Sequence, residues 1–347
     1  MSTLFSHFFA KINQISPLEH DFTEVLDSIV LTPRTLYFYG KLPENVVKKP
    51  NPAKVSQNNS AATSSQKTRT ERPKTVAIVG SRHNTKYGEE IAYKLAYELG
   101  KRGVIVVSGL AYGIDSIAHR GCLAANGITV AVLGTPIDRI YPKQHISLAR
   151  EVLEKHGAII SEYSPYTAAY QNAPLAPGEY YDKDTCKREL DLKSSFLHRN
   201  RLISGLSDIV VVVEAAEKSG SLNTAAHALE QGKTVFAVPG NITNPYSQGC
   251  NKLIKQGAIP YTEPKDILEL LFPEEHAKKC KSLRRQNLIG DTDAETLILQ
   301  ALAAGLRSGE EIMDATHLPP EVFNQTTTLL EIKGRLRSLG MNTWGLA

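Results

Sequence analysis

The chain has 347 residues, 41% of them hydrophobic and 22% charged, an ordinary globular make-up with length enough for two domains. No apolar run approaches the ~18 residues of a membrane span. The first ten residues lack the basic front of a signal peptide, and the four scattered cysteines (Cys122, Cys186, Cys250, Cys280) suggest neither a disulfide framework nor a zinc site. A cytoplasmic protein without a metal or cofactor is therefore expected.

The net charge of +4 conceals an uneven distribution. Residues 48–73 hold six Lys/Arg against one Glu, and residues 276–287 hold five Lys/Arg and no acid, so the rest of the chain sums to −6. Overall basicity resides in two connecting stretches and is no argument for nucleic-acid binding. Such an argument has to rest on particular arginines.

In chain order, residues 1–47 form a short lead segment with a β-branched and aromatic strand at 35–39. Residues 48–73 are polar, basic and poor in large apolar side chains, the pattern of a flexible linker or surface insertion. From 74 to 273, short apolar runs at 76–79, 104–107, 129–133, 158–160, 209–213 and 234–238 alternate with helical stretches at 89–101, 115–125, 146–155, 200–206 and 222–231. Continuous apolar runs fit strands buried on both faces, and this alternation predicts an α/β fold, a doubly wound and mostly parallel sheet. Ligands of such sheets sit outside the carboxyl ends of the strands. The stretch 164–195 interrupts the pattern without periodicity of its own, which marks a functional or disordered insertion. A basic linker at 274–290 leads to residues 291–347, where three helices and two short strands make the pattern of a winged-helix domain.

The chemistry-bearing motifs fall at strand ends. Gly80-Ser81-Arg82 closes the first run: Gly80 lets backbone approach a ligand, and Ser81 and Arg82 can both donate to phosphate. No G-x-G-x-x-G follows this strand, and the second run ends in Ser108-Gly109 rather than in an acid, which disfavours a dinucleotide site. The stretch 108–115 offers free amides at a helix start as an anion nest, with Asp115 placed to cap that helix and His119 a packed residue. Phe196, Arg199 and Arg201 set an aromatic beside two cations. The two arginines cannot share a helix face, so one is expected to meet phosphate and the other to pair internally, while Phe196 either stacks on a base or packs in the core. After the run at 209–213 come Glu214 and then Ser219, Gly220 and Ser221, another phosphate-compatible helix start. Glu214 keeps an enzyme alternative open, a nucleotide N-glycosidase with this residue as its acid. No nucleophile elbow, Walker lysine or zinc-protease motif appears, and the leading expectation is binding without catalysis.

Taken in order, 76–82, 108–115 with Ala118-His119, Tyr141-Pro142, Ser161-Glu162-Tyr163, Arg199-Asn200-Arg201, Glu214-Ala215, Ser219-Gly220-Ser221 and Val238-Pro239-Gly240 resemble the DNA-processing protein A (DprA/Smf) family. That resemblance implies an extended Rossmann-like domain that binds single-stranded DNA and loads a RecA-type recombinase onto it in natural transformation or related recombination. It also implies a homodimer and no catalytic activity. By motif match, Arg82 and the Arg199, Asn200 and Arg201 stretch line the DNA pocket with Phe196 near a base. The chain departs from the family pattern at Leu197, where proline is usual, and at Pro136, where glycine is common.

Overall fold

In the computed structural model the described residues are 11–47, 70–165, 179–181, 188–274 and 288–346. The chain divides into two compact units, Met1–Leu271 and Phe272–Ala347. Most of the polar stretch 48–73, the basic run 276–287 and much of the insertion 164–195 lie outside the described residues.

The first unit is built on a nine-stranded sheet. Its strands are β1 (Asn13–Ile15), β2 (Leu36–Gly40), β3 (Thr75–Val79), β4 (Ile105–Ser108), β5 (Thr129–Leu133), β6 (Ala158–Ser161), β7 (Ile209–Val212), β8 (Thr234–Ala237) and β9 (Ile259–Pro260), in the spatial order β1-β2-β6-β5-β4-β3-β7-β8-β9. From β6 to β9 every pairing is parallel, whereas β1 and β2, from the lead segment, extend the sheet antiparallel. This is a mostly parallel, Rossmann-like α/β architecture. Alternate residues of one strand serve opposite cores: Val130 and Val132 pack into one cluster, Ala131 and Leu133 into the other. Burial on both faces is what gives these strands their unbroken apolar sequence.

The crossover helices are α1 (Lys86–Lys101), α2 (Ile114–Ala124), α3 (Ile146–Glu154), α4 (Leu192–Gly205), α5 (Gly220–Glu230) and α6 (Gln248–Lys255), and α7 (Pro264–Leu271) follows the last strand. In α1, Ala92, Leu95, Ala96 and Leu99 make the buried stripe, and the Thr85 hydroxyl caps the start by accepting from the Gly88 amide. The helices α6 and α7 lie beyond the helical stretches expected from the sequence. Within the insertion, Glu179–Tyr181 pairs antiparallel with Arg188–Leu190, so part of that stretch is strand.

Residues 12–40 are tied to α4. Phe22, Leu26, Ile29 and Leu36 share a core cluster with Leu202, Ile203 and Leu206. A side chain at Gly205 would begin 2.8 Å from the Leu26 methyl.

The second unit holds α8 (Asp293–Ala303), α9 (Gly309–Thr316), α10 (Pro320–Ile332) and an antiparallel hairpin of β10 (Leu336–Gly340) and β11 (Thr343–Leu346). Ile298, Leu302, Ile312, Phe323, Leu330 and Leu336 form its core. Lys333 Nζ donates to Asp291 Oδ2 (2.7 Å) and Glu295 Oε1 (2.6 Å), clasping the two ends of the unit. Among the described residues no helix is long and apolar enough to cross a membrane.

Candidate functional site

The strand order reverses at β3, which has β4 on one side and β7 on the other. Outside the carboxyl ends of β3 and β7 opens a cleft of about 770 Å³, at the point where a doubly wound sheet has room for a ligand.

One wall is the turn after β3. The Ser81 amide donates to the Glu214 carbonyl (2.7 Å) and the Ile114 amide to the Ser81 carbonyl (3.2 Å), which joins this turn to β7 and α2. Gly113, the N-cap of α2, has φ +73°, and a Cβ there would strike the Ser81 carbonyl at 2.3 Å. Only glycine fits that junction. The Ser81 hydroxyl donates to the His83 carbonyl (3.0 Å) and accepts from the His83 amide (3.1 Å). Arg82 is exposed and makes no ion pair among the described residues; its guanidinium carbon lies 5.3 Å from the Phe196 ring centroid.

Glu214 is no cleft acid. Its carboxylate, 1% exposed, accepts from the Thr85 amide (2.8 Å) and hydroxyl (2.6 Å) at the start of α1, and it is not among the residues that line the cleft.

The second wall is α4, expected to begin at 200 but beginning at Leu192. Asp191 caps it by accepting from the Lys193 amide (3.1 Å). The earlier start gives Lys193, Phe196, Asn200 and Ile203 helical spacing along one face, and all four line the cleft. Phe196 is half-buried, 5.4 Å from the Tyr141 ring. Arg201 turns away. Its guanidinium, 2% exposed, grips both Glu162 oxygens (2.8 and 2.9 Å) and donates to the Leu31 carbonyl (3.0 Å). The expectation that Arg201 contacts a ligand is corrected: it is the internally paired member of the two arginines.

Arg199 reaches the cleft but points its donors inward. Nη1 donates to the carbonyls of Gly109 (3.1 Å) and Val132, and Nε to Asn200 Oδ1 (3.3 Å). Burial lowers its pKa to about 10, opposed by the charge of Asp115. Asp115 is not the helix cap that its position suggested; its carboxylate accepts from the Gly109 amide (3.2 Å), and burial raises its pKa against the pull of Arg199. A Cβ on Gly109 would lie 2.7 Å from Asp115 and 2.8 Å from Arg199, so glycine is needed where these two side chains meet the backbone.

The third wall is the start of α5. The Ser219 hydroxyl is 2.8 Å from that of Ser221 and accepts weakly from the Ser221 amide (3.4 Å). Asn200 Nδ2 crosses from α4 to the Gly220 carbonyl and to Asn223 Oδ1, both at 3.2 Å.

Of the expected residues, Gly80, Ser81, Arg82, Phe196, Arg199, Asn200, Ser219, Gly220 and Ser221 come together around the cleft. Gly109 lines only a small neighbouring notch. Ser108 does neither: it is fully buried and donates to the Ile78 carbonyl (2.7 Å). Lys193, Lys218, Tyr141, Asn223 and Tyr246 also line the cleft. Lys193 was within reach of the sequence, one helical turn before Phe196 behind a capping Asp191. Lys218 and Tyr246 carried no pattern of their own.

Cations therefore outnumber acids in the cleft, with Arg82, Lys193, Lys218 and Arg199 against Asp115. His119 takes no part. It is fully buried, 2.7 Å from the Thr129 hydroxyl, and burial lowers its pKa to about 3. Among the described residues no cluster of His, Cys, Asp or Glu could hold a metal ion.

The site is thus a strand-end cleft of a Rossmann-like sheet in which cations stand beside an aromatic ring. Residues 64–174 and 182–272 match the family model described as DNA recombination-mediator protein A, and the chain belongs to that family. The resemblance carried by the motifs is thus borne out. Protein Smf of Escherichia coli K12 is 47% identical over 196 residues, 56% of this chain and 46% of that protein. The X-ray structure of DNA processing protein A from Streptococcus pneumoniae superposes with a TM-score of 0.54 at 32% identity, covering 76% of this chain and 75% of that one. DNA processing protein A from Helicobacter pylori, whose structure was described for that protein's single-stranded DNA binding mode, gives a TM-score of 0.54 at 27% identity, covering 78% and 98%. The chain spans between 46% and 62% of the length of the first curated relatives it matches.

Proposed function

We propose that this chain binds single-stranded DNA in the cleft between β3 and β7, without regard to base sequence, and delivers it to a RecA-type recombinase during transformation or related recombination. The observation that carries this reading is the exposed Arg82, without an ion-pair partner among the described residues, set over the Phe196 ring at the strand-end cleft. A guanidinium open to phosphate beside a partly exposed aromatic ring is a combination suited to an unpaired strand. Lys193 and Lys218 on the rim add charge for the flanking phosphates. The donors at the start of α5 suit another phosphate.

We assign the protein no bond-breaking step, since Glu214 serves the α1 cap, and we place it in the cytoplasm as a homodimer. The helices and hairpin of the second unit fit a winged helix. Residues 288–347 carry eight acids against four Lys/Arg, and the outward face of α10 presents Val322, Leu329 and Ile332 with no basic residue. Those features favour a protein partner over duplex DNA for that unit.

The test is fluorescence anisotropy with a labelled oligothymidine, a mixed-sequence single strand and a duplex. Both single strands should bind alike and more tightly than the duplex, with log affinity falling by about 0.7 for each phosphate neutralised per tenfold rise in salt. Equal affinity for duplex, or binding indifferent to salt, overturns the reading. Recombinase loading is checked by the rate of RecA filament growth on strands pre-coated with single-strand-binding protein.

A further inference from the structure

We infer that the cleft continues past Arg82 into a second base-stacking subsite formed by Tyr112 and Tyr141, so that the bound strand runs across the sheet edge from β7 towards β5. The inference rests on the single-strand reading above and extends it to an address for the next bases.

Two large rings stand exposed at the carboxyl edge, Tyr112 at 39% and Tyr141 at 41%. A lone exposed tyrosine needs no explanation, but these two share one notch with Arg82 and Phe196. Neither hydroxyl has a hydrogen-bond partner among the described residues, so bonding to the protein does not account for their placement. Each ring nevertheless packs against a neighbouring ring. Tyr141 leans on Phe196 with centroids 5.4 Å apart and planes inclined by 38°. Tyr112 meets the edge of His145 at 5.0 Å, and His145 Nδ1 is in turn 2.8 Å from the Leu110 carbonyl. The backbone beneath Tyr112 is held twice more, by Asp115 on the Gly109 amide and by Arg199 on the Gly109 carbonyl. Rings already packed on one side lose less freedom than isolated ones when a base settles on them.

Topology gives the direction. Ser219 follows β7, Arg82 follows β3, Tyr112 follows β4 and Tyr141 follows β5, and these four strands are consecutive neighbours in the sheet. A polynucleotide laid along their ends meets the donors of α5, then the guanidinium, then the two rings. The notch itself, of about 10 Å³, is too small for a base and suited at most to a water molecule. The bases therefore lie over the rings rather than in a pocket, a contact that any base can make.

The experiment is a length series, with labelled oligothymidines of two to ten nucleotides titrated by anisotropy into the full chain and into a Tyr112→Leu/Tyr141→Leu double variant. For the wild type, affinity climbs with length until both rings are covered. In the double variant the climb stops early, and affinity for the longest strand falls about tenfold for each ring removed. A Tyr112→Phe/Tyr141→Phe variant restores the climb, because stacking needs the ring and not the hydroxyl. A Leu variant that gains affinity with length as the wild type does, or a Phe variant as weak as the Leu variant, overturns the subsite. The underlying reading fails separately, if the wild type binds no oligothymidine at any length.

Discussion

Arg82 and Arg199 line one cleft, yet their replacement by alanine should fail in opposite ways. Arg199 is buried, and its guanidinium supplies donors to the carbonyls of Gly109 and Val132 and a positive charge beside Asp115. Without it, each carbonyl left unmet costs about 1–3 kcal/mol, and an isolated buried charge about 3–5 kcal/mol. These costs overlap, since Asp115 can take up a proton, so we expect a loss of about 4 kcal/mol in unfolding free energy. At about 2–4 °C per kcal/mol for a unit of this size, Arg199→Ala lowers the melting temperature of the first unit by roughly 8–16 °C. Arg82 is exposed without an ion-pair partner among the described residues, so Arg82→Ala stays within about 0.5 kcal/mol of wild type in stability. It should nevertheless flatten the dependence of log affinity on log salt by about 0.7 for each phosphate that the variant no longer neutralises. Calorimetry and anisotropy on the same preparations separate the two effects. An Arg199→Ala protein melting within about 2 °C of wild type, or an Arg82→Ala protein with an unchanged salt slope, refutes this division of roles.

Glu214→Ala should release Thr85 and with it the turn that carries Arg82, lowering affinity for a labelled single strand about tenfold, whereas Glu214→Gln, which keeps an acceptor for the Thr85 amide, holds most of it. An alanine variant that binds like wild type removes the latch. In the second unit, hydrogen bonds from Lys333 hold the carboxyls of Asp291 and Glu295 below their usual range. Carboxyls lowered on folding stabilise the folded state above their unfolded values of about 4 and lose that contribution as pH falls through the lower folded values. Emission from Trp344, the only tryptophan in the chain, should therefore report the second unit loosening as the solution is acidified from about pH 5, and Lys333→Met should flatten that dependence.

The parallel sheet was legible because burial on both faces leaves uninterrupted runs such as 209–213 and 129–133, whose extents agree with β7 and β5 to within a residue. The helix α4 was not. Its buried side includes Ser195, Arg199, Asn200, Arg201 and Ser204, so no apolar stripe marks its first two turns. Two arginines adjacent in a motif look equivalent in sequence, and only the position of Glu162, 39 residues away, assigns Arg201 to the interior. Asp115 misled for a related reason. An acid near a helix start suggests a cap, but the positive φ at Gly113 moves the cap back two residues and sends the carboxylate to Gly109. Lys193 was missed only because the helix start was set too late, whereas Lys218 stayed hidden because an exposed cation in a loop carries no periodicity.

The link from Leu31 through Arg201 to Glu162, together with the packing of Leu26 and Ile29 under Gly205, makes the opening residues a foundation for the rod that presents Phe196. Trimming the chain to the stretch matched by the family would leave that rod unsupported on one flank. A minimal fragment meant to test the proposed strand binding has to begin ahead of residue 12.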